Sequence, residues 1–369
     1  MSALKALFRR GSSIRDDSNG RKDDLRVYTY NAAELKHHRP LTYDERELSE
    51  FDELLRSSWD KAMRDGVMKY DLSGTKLTAL PGRYGYMVQE NPKRFSHRRK
   101  PENIQNLKQP FERSKFNFTQ VPANEILFEL REKTRGKEHN MVIVNVSPIA
   151  YGHVLLVPKL KSSQPQVFTE DSLLFAIEVV ALSNHRGFCL LGNTLLSYAS
   201  VNHLHFHALY FEHFLMAMTT GTKMFQGPVL DLERYPVKGI MIQTADGCAK
   251  LAQIAYKVIS LCYEMEMPCN IVICYGKPQV TVTIDRGHSY IRMLVFPRKP
   301  VTGFKQLYDS DSRPPMFCAA CELAGCVVLL DKGFGDALTE KQVIEEMKVN
   351  EVAEEDFQAF KERLKVEFK

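Results

Sequence analysis

Apolar residues recur along this chain with two periods, and the points where the period changes predict its elements. Leu48, Phe51, Leu54, Leu55 and Trp59 stand at helical spacing within residues 42–63, with Thr42 and Glu45 as a capping box. This predicts an amphipathic helix whose role is packing. Residues 80–119 are irregular and include a basic cluster at 93–100, read as a solvated loop with phosphate contact as the other reading. Short β-like runs follow at 116–119, 126–130, 141–146 and 153–157, the last two separated by a Ser147-Pro148 turn. Leu173, Leu174, Ala176, Ile177 and Val180 predict a helix over 171–183, and 188–191 returns to β.

The order then repeats. Strand-like runs at 237–243, 270–275, 280–285 and 291–298 surround a long helical stripe over 245–266 (Leu251, Ile254, Ala255, Val258, Leu261). Two halves of similar order suggest a duplicated unit. The expected organisation is a solvated leader over 1–25, a first half at 26–225, a second at 226–335 and peripheral helices at 336–369.

One stretch carries the chemistry. His203, His205 and His207 alternate with Leu204, Phe206 and Ala208 within residues 200–211. A strand over this segment puts the three imidazoles on one face and the apolar residues in a core. Imidazoles at that spacing can hold a metal with an open position. They can also supply a nucleophile with two helpers, because a neutral ring whose one nitrogen is a fixed donor presents a lone pair on the other. An imidazole attacking phosphorus needs no acidic base, and its neighbours can donate to oxygens where charge develops. The second half has no such row.

Composition narrows the setting. The 369 residues carry a net charge of +5, too mild to imply nucleic acid but compatible with an anionic small substrate. No apolar run is long enough to cross a bilayer. The eight cysteines all lie beyond residue 188 and are expected as reduced, mostly buried thiols of a cytoplasmic protein, including the Cys318-x-x-Cys321 and Cys326 cluster.

The ordered set of motifs resembles the histidine-triad (HIT) superfamily. The segment Val144-Asn145-Val146-Ser147-Pro148-Ile149-Ala150-Tyr151-Gly152-His153-Val154-Leu155-Leu156-Val157-Pro158-Lys159 resembles its Pro-x-x-x-Gly-His-x-Leu-x-x-Pro motif, and Asn193 and Ser200 precede the triad. With Arg83-Tyr84-Gly85 and Lys115-Phe116-Asn117-Phe118-Thr119, the match narrows to the GDP-hexose phosphorylases, over about residues 80–335. The resemblance implies an α+β fold of HIT-like, galactose-1-phosphate uridylyltransferase-like type, with two tandem halves of mainly antiparallel sheet. It implies a nucleotidyltransferase in which His205 attacks the α-phosphorus of a GDP-hexose, sugar 1-phosphate leaves, and inorganic phosphate releases GDP. His203 and His207 would assist. Ser200, Asn193, Asn145, Lys115, Asn117 and Arg83 would be substrate-binding candidates, with no cofactor, metal, nucleic acid or membrane involved. His207, where the plant branch carries Gln, points to GDP-D-glucose as substrate. A HIT-type hydrolase, a guanine-nucleotide-binding regulator and a metal hydrolase are the competing readings.

Overall fold

The computed structural model describes residues 13–14, 25–40, 47–91, 93–94, 102–136, 138–279, 288–302, 316–330 and 335–369. The leader up to residue 24 (apart from 13–14), the Thr42/Glu45 pair, the strand expected at 280–285 and residues 95–100 of the basic cluster lie outside them. The fold is mixed α+β, built on a 13-stranded, largely antiparallel sheet. Its centre comprises β1 (Ile126–Glu132), β2 (Asn140–Val144), β3 (Val154–Val157), β4 (Phe188–Asn193), β5 (Phe206–Tyr210), β6 (Thr222–Gln226), β7 (Val229–Leu232), β8 (Ile240–Gln243), β9 (Cys269–Gly276) and β10 (His288–Pro297). The spatial order is β1-β2-β3-β5-β4-β9-β10-β8-β7-β6. The strand Val27–Tyr30 adds in parallel to β1, and His38–Pro40 pairs with β10.

The sheet has two covered faces. On one, α2 (Glu170–Leu182) and α3 (Cys248–Glu264) pack on Phe188, Leu190, Phe206, Ala208, Ile271, Ile273, Met293 and Val295. The α2 stripe is apolar nearly all round because it is buried on nearly every side, as its composition requires. Helix α1 (Glu50–Arg64) buries Phe51, Leu54, Leu55 and Trp59 in the same core. It begins at Glu50, later than the periodicity suggested. Ser49 caps it, accepting from the Asp52 N–H at 3.1 Å while the Asp52 carboxylate accepts the Ser49 N–H at 3.1 Å.

On the other face a three-stranded sheet, ordered Cys326–Leu329, Met87–Glu90, Lys76–Ala79, covers part of the large one together with the short helices Met216–Thr219 and Ala320–Ala324. The peripheral helices expected at the C-terminal end are α4 (Glu340–Val349) and α5 (Glu354–Glu367). The run at 116–119 is not a strand. Asn117 caps a 3-10 turn, Phe118–Gln120, because its carbonyl oxygen takes the Thr119 N–H and hydroxyl. Among the described residues no helix is long and apolar enough to cross a membrane. The eight thiols are free and seven are buried.

Candidate active site

The histidine row is only partly a strand. β5 starts at Phe206, so His207 alone belongs to the ladder, pairing with Leu155 on β3 and Leu191 on β4. His203 and His205 lie on the lead-in. The reason is Gln166, fully buried, whose side chain stands where a neighbouring strand would. Its Oε1 accepts the His205 N–H at 2.8 Å, and its Nε2 donates to the His205 carbonyl at 3.1 Å and to the Asn193 carbonyl at 2.9 Å. Leu204, Phe206 and Ala208 are fully buried in the core, as the alternation predicts.

The three rings therefore occupy different surroundings. His205 and His207 line a pocket, with ring centres 5.3 Å apart. His203 does not line it. It lies behind Phe118, whose ring stacks on His203 at 5.6 Å and meets His205 edge-on at 5.0 Å. The pocket is open to solvent, and the space in it and its mouth is about 1140 Å³. Leu155, Leu191 and His207 form its floor. Phe116, Phe118 and Val146 line it as well, with Phe317, Cys321, Glu322 and Val328.

Hydrogen-bond partners fix where the ring protons sit. His205 Nδ1 is 2.7 Å from the carbonyl of His203, a group that can only accept, so Nδ1 carries the proton. Nε2 then bears a lone pair, and no described protein group engages it. Burial holds the ring neutral, lowering its pKa to about 4 against the opposing pull of the His203 carbonyl. His203 is lowered to about 4 by burial and by neighbouring His205, with the Leu160 backbone pulling the other way. Its Nδ1 accepts the Phe118 N–H at 3.1 Å, which pins the aromatic turn beside His205.

A fourth histidine completes the arrangement. His153 Nδ1 accepts the Ile149 N–H at 3.0 Å, so a neutral His153 carries its proton on Nε2, 2.9 Å from His207 Nδ1. His207 must accept there and keep its own proton on Nε2. Burial is the first cause holding both rings well below the usual imidazole range, and the Arg94 guanidinium adds to it. The pocket thus presents a lone pair on His205 beside an N–H donor on His207. His153 stands in the Gly-His motif quoted above, but alternation on one strand gives no sign of a partner from β3. Gln166 has no sequence signal at all.

The remaining candidates divide. Ser200, Asn193 and Asn145 line the pocket. The Asn193 Oδ1 is already taken, accepting from Asn270 Nδ2 at 2.7 Å and from the Ala320 N–H at 3.1 Å, which leaves its Nδ2 as the available group. Asn145 Oδ1 accepts the Ser147 N–H at 3.0 Å, and its Nδ2 sits 3.2 Å from His153 Nε2. Lys115, Asn117 and Arg83 do not line the pocket. Lys115 pairs with Glu112 at 2.8 Å and Glu102 at 3.0 Å, and Asn117 caps the Phe118 turn. The Arg83 and Tyr84 N–H groups bind the Glu340 carboxylate at 2.9 and 2.8 Å. From the basic cluster, Arg94 reaches the pocket.

Sequence profiles of the GDPGP1-like N-terminal and C-terminal domains match residues 50–209 and 216–368. GDP-D-glucose phosphorylase 1 of Bos taurus is 34% identical over 75% of this chain and 73% of its own. The Danio rerio protein of the same name is 31% identical over 86% and 91%. A crystal structure of yeast Ap4A phosphorylase Apa2, only 13% identical, superposes with a TM-score of 0.58 over 83% of this chain and 96% of its own, a likeness of fold. On these matches, the chain belongs to the GDPGP1-like family.

Proposed function

We propose that this protein is a nucleotidyltransferase that phosphorolyses GDP-D-glucose to GDP and glucose 1-phosphate through GMP held on His205. The observation that carries the reading is the 2.7 Å bond from His205 Nδ1 to the His203 carbonyl, which leaves Nε2 as an uncommitted lone pair in a pocket. Nε2 attacks the α-phosphorus, the bond to the bridging oxygen breaks, and glucose 1-phosphate departs with that electron pair. An oxygen of inorganic phosphate then attacks the same phosphorus, the P–N bond breaks, and its pair returns to Nε2 as GDP forms. His207 Nε2–H donates to a non-bridging oxygen as charge develops. Ser200 and the Asn193 amide supply further donors, His203 fixes the nucleophile's tautomer through its carbonyl, and Phe116 and Phe118 offer flat apolar faces to the base. The named relatives act on GDP-sugars, which supports guanine and hexose here.

The two-half reading belongs to the same proposal. The order β1-β2-β3-β5-β4 repeats as β6-β7-β8-β10-β9, with α2 before β4 and α3 before β9, as expected of tandem HIT-like units, although β6 (Thr222–Gln226) opens the second unit just before the expected boundary between 225 and 226. The buried free thiols fit a reducing compartment, the cytoplasm.

The test is to incubate labelled GDP-glucose with the protein in the absence of phosphate. A stoichiometric, acid-labile GMP adduct is expected, absent in His205→Asn. Turnover without any adduct would refute covalent catalysis. GMP as the sole product, whatever the phosphate concentration, would replace phosphorolysis with hydrolysis.

A further inference from the structure

A phosphorylase must take phosphate in preference to water, and the histidines do not account for that choice. Arg94 is the charged residue in the pocket that the chemistry above leaves unused. It follows the strand Met87–Glu90, and its backbone N–H donates to the Asn91 side chain at 3.2 Å. Its guanidinium is held by neutral groups. It donates to the Ser147 carbonyl and engages the Tyr70 hydroxyl, which itself donates to the Pro148 carbonyl at 2.8 Å. The arm is therefore clamped to the turn that also holds Asn145 and His153.

The pocket offers this cation no effective counterion among the described residues. Glu322 is the one acidic side chain in the described lining. It forms no ion pair with Arg94, its Oε2 accepts the Ala319 N–H at 3.0 Å, and burial pushes its pKa up to about 8, which weakens it as a counterion. The four imidazoles nearby are neutral. What remains in the described pocket is a half-buried guanidinium without a partner charge, an arrangement that favours an incoming anion.

Its position indicates which anion. The Arg94 guanidinium donates to the Ser147 carbonyl; the Ser147 N–H binds Asn145, whose amide nitrogen lies 3.2 Å from His153 Nε2, and that imidazole nitrogen is 2.9 Å from His207 Nδ1. This run of contacts places Arg94 on the His153–His207 side of the pocket. In an in-line displacement at phosphorus, attacking and leaving groups lie on opposite sides. The second displacement reverses the geometry of the first, so the phosphate that attacks occupies the place of the phosphate that left.

We propose that Arg94 anchors the acceptor phosphate, and before it the phosphate of the departing sugar 1-phosphate, and so sets the preference for phosphate over water. This rests on the phosphorolysis reading, and binding and turnover are measured separately so that the two stand or fall apart. Inorganic phosphate is titrated into the GMP-loaded protein, following thermal stabilisation, for wild type, Arg94→Gln and Arg94→Lys. The phosphate Kd should rise about tenfold or more in Arg94→Gln, less in Arg94→Lys, which keeps the charge but loses the fork. GMP affinity and the unliganded melting temperature should hold. Unchanged phosphate affinity in Arg94→Gln, no phosphate binding in the wild type, or joint loss of GMP and phosphate affinity would each overturn the proposal. In turnover with GDP-glucose, Arg94→Gln should show a raised phosphate KM and a higher GMP:GDP ratio, with kcat at saturating phosphate less affected. A wild type that makes only GMP would refute phosphorolysis, while the phosphate titration would still decide whether Arg94 binds the anion.

Discussion

Two ends of one sheet row make a useful comparison. His207, Leu191, Val272, Leu294 and Met241 stand opposite one another across β5, β4, β9, β10 and β8 and share a face. At the first end His207 and Leu191 open onto the pocket. At the other, Leu294 and Met241 are fully buried, in one apolar cluster with Met216, Ala217 and Met218. The next row carries a comparable polar side chain on β10, Arg292, fully buried and donating to the carbonyls of Ala217, Thr220 and Lys277. Burial depresses its pKa. The sheet surface is equivalent, and the difference is what the protein has consumed. Arg292 spends its terminal nitrogens on carbonyls, and its one unpartnered nitrogen, Nε, is sealed in the core, whereas the uncommitted nitrogen of His205 belongs to a ring that lines the pocket. A polar residue becomes a reagent when the atom left uncommitted can meet a ligand.

That contrast can be broken in graded ways. The largest effect is expected from His205→Asn, which removes the free lone pair and should lower turnover by about 10⁴-fold while the melting temperature stays near wild type. A loss of less than tenfold would mean the uncommitted nitrogen is not the reagent. Acid comes next. His203 and His205 are neutral in the folded chain down to about pH 4, while in the unfolded chain they charge near pH 6.5. Protons are then bound more by the unfolded state, so this stability is present above pH 6.5 and falls as pH drops toward 4, by about 3 kcal/mol per ring. Denaturant titrations at several pH values, wild type against His203→Asn, should show a shallower decline in the variant.

His153→Gln keeps the pocket's volume but loosens control of the His207 tautomer, and should reduce turnover by about 100-fold at nearly unchanged GMP affinity. Equal kinetics in this variant would place the His207 proton under other control. Arg292→Met probes the sealed end. Three carbonyls lose their donor, so stability should drop by about 2 kcal/mol in urea unfolding, with turnover per folded molecule within about threefold of wild type. Lys115→Met should change least, with a urea midpoint indistinguishable from wild type, since the Lys115 ammonium is exposed and its ion pairs are screened by solvent.

Periodicity and local chemistry make the scaffold legible. The helices expected at 171–183 and 245–266 and the strands at 126–130 and 270–275 lie within a few residues of those observed, since each is fixed by an apolar stripe that burial enforces. The histidine row is legible as a set but not in its geometry. Alternation implies three rings on one strand, whereas Gln166, 39 residues before His205, captures the backbone there and the strand starts only at Phe206. The Phe118 turn departs from its β-like pattern for a similar reason, because a side-chain cap at Asn117 outweighs β propensity. Lys115 and Arg83 lie in family-like motifs yet serve ion pairs and a helix contact. Arg94 is visible in the sequence only as one base among several, and its approach to the pocket depends on contacts with Tyr70 and Ser147 that no local pattern encodes.

The pairing of β4 with β9 has a mechanical consequence. Five facing residue pairs, from Asn193–Asn270 to Cys189–Cys274, stitch the two matched profile segments into one hydrogen-bonded slab. A hinge between them would have to tear that ladder, so the floor beneath a ligand is rigid and any enclosure falls to the loops above it. The same seam makes the chain a single cooperative unit, expected to melt in one transition even though its sequence divides into two domains.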